Sequence, residues 1–268
     1  MYYKDAEHFK EVNGYPINGG WYPRVTKILD VKSKPGLENF FKEVGDYAAA
    51  EDIKQKSAEA GSLLHLTLQR VVAGDAVSIP AEILPAMEGF RKFNETRKIF
   101  FHPEFFERRI WSGRHRYAGT IDALATVDGK FGVLDIKTSA AFYPDYNLQT
   151  AAYTLALREF EIKRTLSLPR DIETRWILRI DQSRLCRVCG AKLREKGGRA
   201  KIRNGKQNKA LLCAEGKHEW SEPRGEVELR EFPYLHQDAK AFIAAKILWE
   251  WENNYWLRNI GYLTRDGA

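Results

Sequence analysis

Two aspartates and a lysine in the middle of the chain are spaced so that they could act together. Phe131–Ser139 is predicted to form a strand, and its two-residue period places Asp135 and Lys137 on one face. Tyr117–Val127 is predicted to form the partner strand across a tight Asp-Gly turn, so Asp122 can lie beside Asp135. Two carboxylates and an ammonium group suit a hard divalent cation next to a water or a phosphate oxygen.

The spacing of these three residues resembles the core motif of the PD-(D/E)XK nucleases, with Ile121 in place of the proline. Three further segments are similar to motifs of the RecB-like branch and follow its order. They are Tyr22–Leu29, Gly61–His65 and Gln149–Tyr153. The resemblance implies an α/β, restriction-endonuclease-like fold in which helices flank a mixed central sheet. It also implies hydrolysis of phosphodiester bonds.

The resemblance implies a role for each residue of the motif. Asp122, Asp135 and the main-chain carbonyl of Ile136 would hold a catalytic Mg²⁺ or Mn²⁺, and His65 would reach the same metal. Lys137 would orient the attacking water and stabilise charge on the phosphate. The residues alone leave alternatives open. The aspartates could pair with a buried arginine, Lys137 could be a surface lysine, and His65 could be a core histidine.

Three more residues are weaker candidates for the same site. Glu107 is either a further acidic catalytic ligand or one half of a salt bridge with Arg109. Gln149 and Tyr153 lie four residues apart and share one helix face, where they could position the lysine or a phosphate. Tyr153 could equally be a core residue.

A cysteine cluster forms the second group with possible chemistry. Cys186 and Cys189 have the spacing of a metal knuckle, and Cys213 with His218 could complete tetrahedral zinc. The alternative is unpaired surface cysteines with a chance histidine. The fourth ligand could instead be Glu215, Glu219 or His236. Some RecB-like nucleases hold an iron–sulfur cluster that includes a cysteine near the N-terminus. No cysteine precedes residue 186 here, so zinc is favoured.

Basic residues are concentrated beside this cluster. Between Arg187 and Lys209, nine Lys or Arg accompany one acidic residue, Glu195, whereas the whole chain has a formal charge of +7. This flexible arm could contact phosphates, or it could be an ordinary solvated loop. The candidate nucleic-acid-binding residues in it are Lys196, Arg199, Lys201 and Arg203. Arg114 and Arg116, before the Asp122 strand, are further candidates.

The rest of the chain predicts one α/β domain with a small insertion. Helices are predicted at Lys42–Ala73, Pro80–Phe101, Tyr146–Phe160 and Gln237–Trp256, and further strands at Phe105–Ser112, Thr174–Asp181 and Gly225–Phe232. Residues 1–35 are predicted to be irregular with a short strand or turn. Residues 1–183 and 223–268 would form the nuclease domain, and residues 184–222 the zinc-binding insertion with its basic loop.

Composition favours a cytoplasmic protein, and the resemblance implies a bacterial or phage-infected cell. The chain is 44% hydrophobic, yet it has neither an apolar run of roughly 20 residues nor an apolar signal-peptide core, so no membrane association is expected.

The sequence therefore predicts a metal-dependent DNA nuclease, and the resemblance favours an exonuclease. The alternatives are a structure-specific endonuclease, or a silent nucleic-acid-binding module whose zinc knuckle is the working part. DNA is the expected partner, together with a recombination or replication protein.

Overall fold

Helices and strands alternate along much of the chain, as the sequence predicts for an α/β protein. The computed structural model describes residues 3–203, 213 and 217–263. The helices are α1 (Ala6–Asn13), α2 (Val25–Ile28), α3 (Pro35–Val44), α4 (Tyr47–Val72), α5 (Leu84–Arg97), α6 (Pro144–Leu157), α7 (Phe160–Thr165), α8 (Leu235–Glu252) and α9 (Asn254–Asn259). The strands are β1 (Gly14–Ile17), β2 (Gly20–Pro23), β3 (Phe100–His102), β4 (Arg108–Ser112), β5 (Tyr117–Ile121), β6 (Ala123–Val127), β7 (Lys130–Lys137), β8 (Thr174–Leu185), β9 (Lys192–Lys196), β10 (Arg199–Arg203) and β11 (Arg224–Glu231). Among the described helices, none has the length and apolar character needed to cross a membrane.

A mixed sheet lies at the centre of the described structure. Its strands follow the order β10, β9, β8, β7, β6, β3, and β11 also pairs with β8. β7 and β8 are parallel, with Ile136 opposite Leu178, while the neighbouring pairs are antiparallel. Parallel strands need a long crossover, and here α6 and α7 supply it. The predicted mixed sheet is therefore confirmed.

Side chains of β7 alternate between two hydrophobic cores. Phe131 and Val133 pack in the core that includes residues of α6 and α8. Leu134 and Ile136 pack in the core that includes residues of α4 and α5. Because both faces of this strand are covered, its sequence is apolar on both sides apart from Asp135 and the two terminal lysines, Lys130 and Lys137. Helices therefore flank the sheet, as predicted.

The strand predicted for Tyr117–Val127 is interrupted at Asp122. Before this residue the chain pairs as β5 with β4, and after it the chain pairs as β6 with β7. The chain changes partner here, so Asp122 belongs to neither ladder. The predicted tight turn between β6 and β7 is confirmed, since Asp128 and Gly129 both have positive φ.

Two predicted helices are shorter than the sequence indicated. The helix predicted for Lys42–Ala73 divides where Gly45 adopts a φ of 75° and the Asp46 side chain caps the start of α4. The helix predicted for Pro80–Phe101 ends at Arg97, because Lys98 is left-handed and the following residues form β3.

The remaining differences also occur at chain turns. Residues 1–35, predicted to be irregular, contain α1, the β1–β2 hairpin and α2. The strand predicted from Phe105 begins only at Arg108, because Glu107 has a φ of 49°. The C-terminal helix is confirmed but divides at Asn253 into α8 and α9.

The insertion begins as a continuation of β8, which extends past the predicted boundary at residue 183 to Leu185. β9 and β10 then form a hairpin, and β9 pairs with the end of β8. The prediction of a loop is therefore wrong for residues 192–203. Gly197 and Gly198 form the tight turn of this hairpin, and both have positive φ. The rest of the basic run, residues 204–209, lies outside the described residues.

Helix α5 packs directly on β11 through two glycines, and this contact predicts an effect on stability. A Cβ on Gly89 would lie 2.8 Å from the Gly225 Cα, so Gly89→Ala should force the helix away from the strand. We expect a loss of about 1–3 kcal/mol in the free energy of unfolding, measured by urea denaturation.

Gly36→Ala is the matched control, because it is also a helical glycine but has no neighbour within 4 Å of the added Cβ. It should be neutral or should stabilise by up to about 1 kcal/mol. Equal effects of the two substitutions would contradict the predicted backbone contact.

Candidate active site and cysteine cluster

Asp122 is held in place by a hydrogen bond to β7, although it does not belong to the ladder of any described strand. Its Oδ2 accepts a hydrogen bond from the Ile136 N–H at 2.7 Å. The His65 Nδ1 of α4 lies 3.8 Å from the same oxygen. The N–H and C=O of an extended residue face the same strand edge, so the Ile136 carbonyl also faces the edge where Asp122 lies. The structure thus brings three of the predicted metal ligands together.

Asp135 and Lys137 form a buried pair on one face of β7. Asp135 is 0% exposed, and the Lys137 Nζ lies 3.0 Å from its Oδ1 and 2.8 Å from its Oδ2. Only the Oδ1 contact has the geometry of a hydrogen bond. Within the described residues, Oδ2 is therefore a buried oxygen with no hydrogen-bond donor. It forms an ion pair with the Lys137 ammonium 2.8 Å away, and it keeps lone pairs that could bind a divalent cation.

Burial governs the protonation of the site. It raises the pKa of Asp122 to about 6 and that of Asp135 to about 6, against the lowering effect of Lys137. Burial alone would lower the pKa of Lys137, but the two carboxylates outweigh it and raise that pKa. Burial, and then the charge of Lys137, lowers the pKa of His65. At neutral pH a neutral imidazole and two carboxylates therefore face one ammonium.

Helix α4 provides one wall of a cleft beside these groups. The cleft has a volume of about 290 Å³ and is lined by Ala58, Gly61, Ser62, His65, Ile136, Lys137, Thr138, Ser139 and Tyr146. Gly61 and Gln69 lie one turn before and one turn after His65. The Gln69 Nε2 donates to the Glu107 Oε1 at 2.9 Å. Glu107 thus lies near the site, and its charge helps to raise the pKa of Asp122.

Helix α6 provides the opposite wall. The Gln149 Nε2 donates to the Tyr153 hydroxyl at 3.0 Å, and Tyr153 is also buried in the core. The Lys137 Nζ lies 5.1 Å from the centre of the Tyr146 ring, an arrangement that favours the charged ammonium. Sequence reasoning missed Tyr146 and Gln69. Tyr146 shares the helix face of Gln149 and Tyr153, and Gln69 shares the face of His65, so helical spacing could have found both.

Several predicted residues lie elsewhere. Arg114 and Arg116 are at the turn of the β4–β5 hairpin, and the five-residue strand β5 separates that turn from Asp122 by roughly 17 Å. Arg116 packs on the Tyr262 ring instead. Arg109 packs on the Tyr15 ring, so it and Glu107 have different partners.

The four basic candidates of the insertion lie on the β9–β10 hairpin and differ in their surroundings. The Lys196 Nζ reaches Thr138 at the edge of the cleft. Arg199 and Lys201 pair with Glu43 of α3. Arg203 is exposed at the end of β10.

The carboxylate site has ligands that fit a hard cation. The kinds of donor that Mg²⁺ or Mn²⁺ accepts are all present: the Asp135 and Asp122 carboxylates, the edge-facing Ile136 carbonyl and a neutral His65. These donors do not converge on one point, whereas the ligand atoms of the cysteine cluster do. An ion here would therefore keep several waters, as Mg²⁺ usually does.

In the described part of the chain, the cysteine cluster is the one place where the ligand atoms of three or more His, Cys, Asp or Glu side chains converge. Ligand atoms of Cys186, Cys189, Cys213 and His218 all lie within 4.8 Å of one another. The Sγ atoms of Cys186 and Cys213 are 3.7 Å apart, and the Cys189 Sγ is 3.4 Å from the His218 Nδ1. Tetrahedral zinc with its usual bond lengths requires about 3.8 Å and about 3.6 Å. The group could therefore hold a metal such as zinc.

The electrostatics of the three thiols also fit a bound cation. Burial opposes ionisation of Cys186, but hydrogen bonds from the Cys189 N–H and from His218 outweigh it and lower its pKa to about 5. Burial, together with the other two cysteines, raises the pKa of Cys213 to about 12. One divalent cation would allow all three thiols to ionise. His218, rather than Glu219 or His236, is the converging fourth ligand, while Glu215 lies outside the described residues.

No protein-family model matches this chain, and no curated protein is similar to it in sequence. What the two sites can do therefore follows from their own geometry.

The raised pKa of Asp122 predicts that Asp122→Asn stabilises the metal-free protein. Because the folded-state pKa of about 6 exceeds the ordinary 3.8, ionisation of Asp122 opposes folding. This effect is absent below about pH 4 and is complete above about pH 6. Two pKa units correspond to up to about 3 kcal/mol. In EDTA, the variant should exceed the wild type in free energy of unfolding at pH 8 and equal it at pH 4.

Asp171→Asn is the control, because Asp171 is exposed and its hydrogen bond from Lys163 lowers its pKa. It should give no stabilisation at pH 8. A less stable Asp122→Asn variant at that pH would show that the ionised carboxylate supports the fold.

A second prediction concerns the cysteine cluster. The dialysed protein should contain about one zinc per chain by elemental analysis, because thiolates hold zinc through closed coordination. His218→Ala should lower the zinc content, whereas His236→Ala, outside the cluster, should not. A brown, iron-bearing preparation would contradict the zinc assignment and favour an iron–sulfur cluster.

Proposed function

We propose that this protein is a metal-dependent nuclease that hydrolyses phosphodiester bonds of DNA. The observation that carries the proposal is the buried Asp135 carboxylate. Both of its oxygens lie within 3.0 Å of the Lys137 Nζ, and only Oδ1 accepts a hydrogen bond of good geometry. The single ammonium faces a second, largely buried carboxylate, Asp122, as well, and two such carboxylates beside one ammonium are costly unless a further cation binds there.

The donors around these carboxylates fit Mg²⁺ or Mn²⁺. Asp122, Asp135, the Ile136 carbonyl and His65 would hold the ion, which would supply a more acidic water and neutralise charge on the phosphate. His65 suits this role because its lowered pKa keeps the ring neutral and able to bind a metal.

Lys137 suits the role of the cation that contacts the reacting phosphate. Its raised pKa keeps it protonated, and Asp135 and the Tyr146 ring hold it in place at the edge of the cleft. An ammonium fixed before substrate binds can stabilise negative charge without rearranging. Gln149 supports this wall by bonding to Tyr153, which makes both positioning residues.

The shape of the cleft favours a polymer backbone as substrate. Small residues of α4, Ala58, Gly61 and Ser62, form one wall and leave room for a sugar-phosphate chain beside His65 and Lys137, which also line the cleft. The formal charge of +7 favours association with a polyanion.

The mixed sheet and the sequence motifs support a restriction-endonuclease-like fold of the RecB-like type. That branch favours an exonuclease, with a structure-specific endonuclease as the alternative. The converged Cys/His group supports a structural zinc in the insertion. It is also the observation that favours the competing function, a nucleic-acid-binding module with a silent carboxylate site.

The decisive experiment measures cleavage of labelled single-stranded and duplex DNA in Mg²⁺, Mn²⁺ or EDTA. Asp135→Asn and Lys137→Ala should each lower turnover by roughly 100-fold or more, because each removes charge that acts on the metal or the phosphate. Labels at the 5′ end, at the 3′ end and in the interior distinguish an exonuclease from an endonuclease.

Two control substitutions lie on the same hairpin. Asp128→Asn is at the exposed turn, and Lys130→Ala is at the far end of β7, where Lys130 pairs with Glu231. Both should retain near-normal turnover. DNA binding without cleavage in either metal would instead support the silent binding module.

A further inference from the structure

The β9–β10 hairpin of the insertion docks on the helices beside the candidate active site. Its turn residue Gly197 is so close to α4 that a Cβ there would lie 2.4 Å from the Ile53 carbonyl oxygen. Arg199 and Lys201 lie 2.7 Å and 2.9 Å from the Glu43 carboxylate of α3. Backbone packing and ion pairs therefore hold the hairpin against α3 and α4.

Lys196 extends from this hairpin to the rim of the cleft. Its Nζ lies 2.5 Å from the Thr138 main-chain oxygen and 2.7 Å from the Thr138 Oγ1. Thr138 follows Lys137 and lines the cleft. On the facing wall, a Cβ on Gly61 would lie 3.9 Å from the Lys196 Nζ. The Lys196 ammonium therefore lies where α4, β7 and β9 meet.

Lys196 differs from its cationic neighbours in having no carboxylate. The Arg194 Nε lies 2.6 Å from the Asp181 Oδ2, and Arg179 also reaches Asp181 and Glu226. Within the described residues, the Lys196 Nζ has no carboxylate within 4.0 Å. An ammonium has three donors, and Thr138 engages two of them. A half-buried cation with a remaining donor suits an anionic ligand.

The cysteine cluster fixes the strand that carries Lys196. Cys186 directly follows β8 and forms a bridge with Trp220. The Cys186 N–H also donates to the Ala191 carbonyl at 2.8 Å, just before β9 begins. A metal bound by the cluster would therefore hold the start of β9, and with it the direction of the hairpin.

We propose that Lys196 binds a phosphate oxygen of the substrate backbone, and that the metal-loaded cysteine cluster keeps its hairpin docked on α4. This inference rests on the proposed nuclease function of the neighbouring site. It makes the insertion one wall of the substrate cleft, rather than a remote basic arm.

Lys196→Ala tests the phosphate contact. In Ca²⁺, used in place of Mg²⁺ to prevent turnover, its affinity for a DNA oligonucleotide should fall roughly tenfold. The slope of log affinity against log salt should fall by about 0.7 to 0.9. Lys196→Arg should recover most of the affinity. Lys192→Ala is the matched control, because Lys192 lies on the same strand but pairs with Glu226 at 2.8 Å, and it should bind normally.

Substitutions at the two turn glycines distinguish loss of docking on α4 from strain within the turn. Both have positive φ, so alanine strains the turn in either case, but only Gly197 contacts α4. Gly197→Ala should therefore weaken DNA binding as Lys196→Ala does, whereas Gly198→Ala should have little effect.

Hydrogen exchange without DNA tests the role of the metal. Removing zinc with a chelator, or replacing Cys189 by Ser, should speed exchange in peptides covering β9 and residues 53–61 of α4. Peptides from β6 should not change. Unchanged exchange in α4 would overturn the coupling.

The outcomes also separate this inference from the proposed function. A wild-type protein that binds no DNA would overturn both. Normal binding and salt slope for Lys196→Ala, with a wild type that does bind, would overturn the Lys196 assignment alone. Loss of cleavage in Asp135→Asn supports the proposed function whatever the result for Lys196→Ala.

Discussion

The hydrogen bond from the Ile136 N–H to the Asp122 carboxylate is the contact on which the site depends. Between the end of β5 and the start of β6 the chain leaves one ladder for another, and the N–H of Ile136 would otherwise lack a partner on that edge. A buried N–H must be satisfied, so the side chain of Asp122 takes the place of a strand. The need to satisfy this N–H therefore holds the Asp122 carboxylate beside Asp135. The Ile136 carbonyl faces the same strand edge as Asp122.

The fold tolerates this concentration of charge because its surroundings are rigid. Lys137 offsets one of the two carboxylates, while cores on both faces of β7 prevent the strand from shifting to expose them. Functional sites commonly store unfavourable interactions that the rest of the structure sustains. The raised pKa values of Asp122 and Asp135 are the measurable sign of that cost.

Much of the site could be predicted because its signals are local. Alternation in Phe131–Ser139 and the Asp-Gly turn predicted the β6–β7 hairpin, and the family resemblance identified His65 and Gln149. The break at Asp122 could not be predicted, since neither glycine nor proline adjoins that residue and the change of partner depends on distant strands. The β9–β10 hairpin was missed because its strands are rich in Lys and Arg. Its Gly-Gly turn was the one available signal.

The register of β8 with β11 also bears on how such a protein could be assembled from simpler parts. Ser183 and Arg224 lie opposite each other in the ladder, immediately before and after the predicted insertion. A two-residue turn could join antiparallel strands at that point. The strands β3, β6, β7, β8 and β11 would therefore remain paired without residues 184–223. The cysteine-bearing segment, with β9 and β10, has the form of an accessory added to an ordinary hairpin.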